Sequence, residues 1–201
     1  ENYNKSSYSW GARMLHYLVL GIPIIGKASF DVDCIGSKSN DSANAGNHVF
    51  ISGLARSGST ILTRLLYESE LFRSLTYRDM PFALMPKMWN QVINKSFNAG
   101  TLKERPHSDG IMVDFGSPEA LEEIFWQVFA KHEYVSVSSV YEHQVKKDLV
   151  VRFRQYISNI LTSNTGSSKS RYLSKNNNNI VRLGAIQESF PQAQILIPFR
   201  D

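Results

Sequence analysis

An α/β fold, with a parallel sheet flanked by helices on both faces, is predicted by three features of this chain. The first is the apolar run Val49-Phe50-Ile51 leading straight into Gly53-Leu54-Ala55-Arg56-Ser57-Gly58-Ser59-Thr60 and then the helical pattern Ile61, Leu62, Leu65, Leu66. The second is a pair of amphipathic stretches at the 3.6-residue period, around 121–129 and 149–161. The third is a further helical pattern that delivers the chain through Pro191 into the strand-like run Ile195-Leu196-Ile197. Strands interleaved with helices favour a parallel sheet over a hairpin sheet.

Taken in order, residues 1–36 carry apolar residues at helical spacing around Met14, Leu15, Leu18 and Val19. Ser37 to Asn47 is rich in Ser, Asn and Gly and reads as an exposed connector. The chain therefore divides into an N-terminal extension and connector, 1–47, and a nucleotide-binding core, 48–201, of one domain. A strand over Val49–Ile51 is followed by a helix reaching about Glu70, then by short helical turns near Met88 and Trp89 between Pro81 and Pro86 and the residues beyond. Ser117-Pro118 is a strong helix start, since Ser caps well and Pro is tolerated at the first helical position. Behind it Leu121, Ile124, Phe125, Val128 and Phe129 line one face. A second helix from about Asp148 carries Leu149, Val150, Phe153, Tyr156, Ile157, Ile160 and Leu161 on one face. Tyr172-Leu173 reads as a short strand, and Ile180, Leu183, Ile186 and Phe190 mark a third helix.

Composition narrows the function. The 201 residues are 42% hydrophobic and 20% charged, as in ordinary globular chains. A net charge of +4 without a long Lys/Arg cluster suits an anionic small ligand and excludes a nucleic-acid partner. The lone Cys34 has no partner for an internal disulfide. The apolar stretch Leu15 to Ile25 contains His16 and Pro23 and is too short to span a bilayer. A cytoplasmic location is expected, a Golgi-type anchor upstream of residue 1 being the alternative. The chain begins at Glu1 and stops at Arg200-Asp201 directly after a strand. It is expected to be an N-terminal fragment, its sheet truncated at the C-terminal end.

The loop at 53–60 is where the chemistry is expected. A strand–turn–helix of this kind aims several backbone N–H groups and the positive end of a helix dipole at one spot, which suits a phosphate-like anion. Its G-x-x-x-x-G spacing makes the sheet P-loop-like. The nucleotide P-loop, however, continues with Lys and then Ser or Thr. Ser59 stands where that lysine belongs, and Arg56 is the only strong cation of the loop. The loop suits an anion better than it suits splitting ATP. His132, His143 and Cys34 show no metal-ligand spacing, and no metal site is expected. Glu119 falls in the predicted first helical turn, where the dipole alone favours a carboxylate, and Glu122 and Glu123 read as a solvated face.

Two segments resemble the sulfotransferases that use 3′-phosphoadenosine 5′-phosphosulfate (PAPS). Phe50-Ile51-Ser52-Gly53-Leu54-Ala55-Arg56-Ser57-Gly58-Ser59-Thr60 is similar to the family's 5′-phosphosulfate loop, in which Lys or Arg precedes Ser-Gly-Ser/Thr-Thr. Leu173-Ser174-Lys175-Asn176-Asn177 and Ile195-Leu196-Ile197-Pro198-Phe199-Arg200-Asp201 are similar to the strands on the 3′-phosphate side. The resemblance is nearest to bacterial-type members and tyrosylprotein sulfotransferases, and covers about a quarter of the chain.

The resemblance implies a PAPS-dependent sulfotransferase moving a sulfuryl group onto a hydroxyl or amine, with PAPS as co-substrate and no metal. Arg56, Ser57, Gly58, Ser59 and Thr60 would hold the 5′-phosphosulfate end, and Arg200 the 3′-phosphate. Arg56 and Lys175 would neutralise developing charge. The acceptor's proton would go to Asp79, near the place of the tyrosylprotein branch's catalytic glutamate, with His107 and Asp109 as the rival pair. The acceptor is a small molecule, a carbohydrate or a protein. The alternatives are a P-loop-like nucleotide-binding module without chemistry, and a phosphotransferase, which Ser59 disfavours.

Overall fold

The computed structural model describes residues 23–37, 46–54, 56–80, 82–93, 103–104, 112–113, 116–134, 139, 141–142, 146–163 and 169–199. Its centre is a four-stranded sheet of β1 (Val49–Ile51), β2 (Phe72–Arg73), β5 (Arg171–Lys175) and β6 (Gln194–Leu196) in the order β2-β5-β1-β6. Every pairing is parallel, with Val49 opposite Leu173 on one side and Gln194 on the other, and Ile51 opposite Lys175 and Leu196. A separate antiparallel pair joins β3 (Lys103–Glu104) to β4 (Met112–Val113). Six helices accompany the strands: α1 (Pro23–Cys34), α2 (Ser59–Glu68), α3 (Pro86–Ile93), α4 (Glu123–Tyr134), α5 (Lys147–Thr162) and α6 (Leu183–Ser189).

A parallel sheet is stable only when both faces are covered, and the two-residue period of β1 and β5 supplies both. Val49, Ile51, Leu173 and Phe72 form one buried cluster, against which Leu62, Leu66 and Tyr67 of α2 pack. Ile61 and Leu65, the other apolar residues of that helix, point to solvent. Phe50 and Tyr172 face the opposite way and join the larger core of α4, α5 and α6, which includes Phe125, Phe153, Tyr156, Ile186 and Phe190. Phe125 stacks on Tyr156 with centroids 5.1 Å apart, and Phe50 on Phe190 at 6.1 Å. Burying each of these rings contributes about 1.5–3 kcal/mol. The expected strand Tyr172-Leu173 is the middle of a five-residue strand at the centre of the sheet.

Three elements depart from the sequence reading. No helix starts at Ser117-Pro118, because tertiary partners take up that backbone. Thr76 and Pro118 form an antiparallel bridge, Ser117 O accepts from Tyr77 N, and Glu119 N donates to Leu75 O at 3.0 Å. Helix α4 begins only at Glu123. The third predicted helix is split into a 3₁₀ turn over Asn177–Val181 and α6, with Arg182 between them buried beneath the sheet edge. Glu122, expected on a solvated face, is buried. Trp126 Nε1 donates to its Oε1 at 2.9 Å. Burial raises its carboxyl above the ordinary value, the Ser174 hydroxyl, Trp126 and the Arg182 charge working against that shift.

Candidate active site

Elements converge beyond the carboxyl ends of β1 and β5, where open α/β sheets bind ligands. The chain leaves β1 through Ser52 and Gly53, the latter fixed by close approach. A Cβ at Gly53 would lie 2.8 Å from Ser57 Oγ and 3.2 Å from Pro198 O. The turn is then closed by Ser57 N donating to Leu54 O at 3.2 Å. Arg56 and Gly58 both take left-handed backbone, φ 69° and 85°. At Gly58 that is cheap; at Arg56 it is strain of the order of 1–2 kcal/mol, which clusters at ligand-binding loops.

Gly58 is the N-cap of α2 and provides no side-chain cap. The first N–H groups of a helix have no partner within it, so those of α2 are aimed outward with the dipole behind them. The Ser57 hydroxyl is buried without a hydrogen-bond partner, an orphan donor at the mouth of this turn. A glycine cradle, an orphan hydroxyl and an uncapped helix start fit the phosphosulfate end of PAPS. One detail differs from expectation: the Ser57 amide is spent on Leu54, so the outward donors begin at Gly58.

Next to the loop lies a small cleft lined by Thr60, Thr63, Ser74, Pro118, Glu119, Ala120 and Lys175. The structure thus brings together Thr60 of the loop and Lys175, the last residue of β5, placed by its register opposite Ile51. Arg56 is exposed on the rim of the turn. His107, Asp109 and Arg200 lie outside the described residues. Among the described residues no group of three or more His, Cys, Asp or Glu is placed to hold a metal ion, and no helix is long and apolar enough to cross a membrane.

Asp79 sits at the end of the 3₁₀ turn Tyr77–Asp79, beneath this cleft rather than in its lining. Its side chain is 4% exposed and both oxygens are engaged: Oδ1 takes Arg73 Nη2 at 2.7 Å, and Oδ2 takes Thr76 N at 2.7 Å and Thr76 Oγ1 at 2.9 Å. Those bonds hold the turn. Asp79→Asn is therefore expected to lower the unfolding midpoint in urea, by an amount equivalent to about 3 kcal/mol for breaking a buried pair. An unchanged midpoint beside a hundredfold loss of turnover would make Asp79 a base instead.

Behind Lys175 a polar network ties the strand ends together. Asn176 N donates to Ile51 O at 3.0 Å, and Asn176 Nδ2 to Glu123 Oε2 at 2.6 Å. The same Oε2 accepts from Arg182 Nη2 at 2.9 Å, and the Arg182 guanidinium lies 4.8 Å from the Trp126 ring centroid. Sequence reasoning placed none of these residues here, nor Glu119 in the cleft. Glu119 followed Ser117-Pro118 and so read as part of a helix start.

Residues 48–201 match the model of the Sulfotransferase family. The chain belongs to the sulfotransferase family. Its fold is shared by two solved sulfotransferases, STF1 from Mycobacterium tuberculosis H37Rv and STF9 from Mycobacterium avium, each at a TM-score of 0.59 and 14% identity over 98% of this chain. The chain spans 57% of the first and 54% of the second, a little over half of each sulfotransferase. No curated protein sequence matches it. The loop after β1 and the cleft beside it thus lie within the stretch that carries the family match.

Proposed function

We propose that this chain is the nucleotide-binding part of a sulfotransferase that uses PAPS as co-substrate and moves the sulfuryl group to a hydroxyl or amine acceptor on a small molecule, carbohydrate or protein. The observation carrying this reading is the turn at 53–58, with left-handed Arg56 and Gly58 and a buried, unpartnered Ser57 hydroxyl, opening onto the cleft of Thr60 and Lys175. PAPS, when bound, supplies an activated sulfuryl group. Everything else is the protein's part. The outward N–H groups of residues 58–60 and the Ser57 hydroxyl bind the 5′-phosphate. Arg56 and Lys175 neutralise charge that grows on the transferring group and its leaving oxygen, and such preorganised charge is usually the largest contribution to catalysis. Arg200, one residue beyond the described end of the sheet, is assigned the 3′-phosphate. A cytoplasmic setting goes with this reading.

The test is calorimetric titration of the protein with 3′,5′-ADP, 5′-AMP and ATP–Mg²⁺. Tighter binding of 3′,5′-ADP than of 5′-AMP, by at least tenfold, is expected from two separate anion sites, since a hydrogen bond to a charged group contributes about 1.5–3 kcal/mol. Equal affinity for the two monophosphate ends would remove Arg200 from the site, and preference for ATP–Mg²⁺ would favour a phosphotransferase.

A further inference from the structure

We propose that Glu119, held by Tyr77, is the group that takes the acceptor's proton. The inference rests on the sulfuryl-transfer reading above and names the base that it needs. A base must reach the cleft where the reacting atoms meet, and must keep lone pairs for the acceptor. Asp79 fails both conditions: it does not line the cleft, and Arg73 and Thr76 occupy both its oxygens. Glu119 meets them. It lines the same cleft as Thr60 and Lys175. Its Oε2 accepts from the Tyr77 hydroxyl at 2.5 Å, its Oε1 from Ala120 N at 3.0 Å. A carboxylate has about four acceptor positions, so two bonds orient it without filling it.

The surrounding turn explains how Glu119 is aimed. Glu119 N donates to Leu75 O, and Pro118 bridges to Thr76, so the segment is bolted to the residues just before the 3₁₀ turn. Asp79 closes that turn and thereby presents Tyr77 to Glu119. Asp79 is a positioning residue, one step behind the base. In the step itself, Glu119 removes the proton of the acceptor O–H or N–H. The freed lone pair forms the new bond to sulfur. The bond from sulfur to the 5′-phosphate oxygen breaks, and its electron pair leaves with 3′,5′-ADP. Glu119 then returns its proton to solvent. Water can stand in as the acceptor, giving inorganic sulfate.

The experiment uses the full chain, PAPS with water as acceptor, and 3′,5′-ADP as the binding probe. Glu119→Gln is expected to bind 3′,5′-ADP within threefold of the unaltered protein by calorimetry, yet to release sulfate from PAPS about 100-fold more slowly. The acid limb of its pH–rate profile should vanish, because Gln does not titrate. Tyr77→Phe should retain the limb but move it to higher pH, since the lost hydrogen bond had favoured the charged carboxylate. A Glu119→Gln protein that keeps both rate and acid limb overturns the proposal. So does one that loses nucleotide binding, which would make the role structural, and so does an unaltered protein that binds 3′,5′-ADP but hydrolyses no PAPS. Failure of the unaltered protein to bind 3′,5′-ADP would instead overturn the sulfuryl-transfer reading itself.

Discussion

Replacing Arg182 by alanine is expected to remove about 3–5 kcal/mol of folding stability, the usual loss when one partner of a buried ion pair is deleted. Against a total of about 5–15 kcal/mol for a domain, that leaves a protein near its unfolding threshold. The residue is fully buried, its Nη2 holds Glu123 Oε2 at 2.9 Å, and it lies over the face of Trp126. Deleting it strands two carboxylates, Glu123 and the buried Glu122. The pH dependence has a definite sign. Burial already raises the Glu122 carboxyl above its ordinary 4.5, and the Arg182 charge opposes that rise. A carboxyl raised in the folded state binds more protons folded than unfolded, so stability falls as pH climbs past 4.5. Without Arg182 the rise is larger and the fall continues further. The deficit of Arg182→Ala in urea unfolding should therefore be larger at pH 8 than at pH 5. Arg182→Lys should recover little, because a single ammonium does not reproduce the planar fork that both bonds the carboxylate and stacks on the indole. Equal midpoints for variant and unaltered protein at pH 8 would mean that Glu123 and Trp126 do not depend on this cation.

The parts of this molecule that were legible from sequence are those where local chemistry and tertiary structure agree. Val49-Phe50-Ile51 and the glycines after it specify a strand and a turn with no help from elsewhere. The apolar face of α5 is read off its spacing, and every residue predicted for that face is buried. Ser117-Pro118 shows how the same rules fail. The dipeptide is a good helix start in isolation, but Tyr77 N and Leu75 O claim its neighbours' backbone groups. No local pattern announces a bridge between Thr76 and Pro118, 42 positions apart. That miss hid Glu119, since a carboxylate in a first helical turn needs no further explanation. Arg182 was hidden in a related way: it interrupts an apolar spacing that looks continuous from Ile180 to Phe190, and its partner Glu123 comes from another element. Asp79 was drawn toward the site by its place in the sequence. Its actual surroundings, Arg73 and Thr76, are within six residues of it, yet only the folded turn shows that they use up its oxygens.

Arg56→Ala is expected to lower sulfuryl transfer by about 10²–10³-fold, the range seen when one preorganised charge-stabilising donor is removed, with a change in 3′,5′-ADP affinity below tenfold. The division follows from how the loop is built. Ground-state phosphate is held by backbone N–H groups from Gly58 onward and by the Ser57 hydroxyl, none of which belongs to the Arg56 side chain. The charge that grows on the transferring group has fewer partners, and Arg56 is the strong cation of the loop. An interaction that strengthens only in the transition state lowers the barrier without tightening ground-state binding. Stability should barely change, since the side chain is exposed. The left-handed backbone at φ 69° is as unfavourable for alanine as for arginine. Arg56→Gly supplies the control, because glycine takes that conformation freely. If the loss in Arg56→Ala came from a disturbed turn, Arg56→Gly would recover rate; if it comes from the missing charge, the two variants will be equally slow. Single-turnover release of sulfate from PAPS to water, with calorimetry of 3′,5′-ADP on the same proteins, measures both quantities. Near-normal rates in both variants would leave Lys175 as the cation that carries the step, and would remove Arg56 from the chemistry.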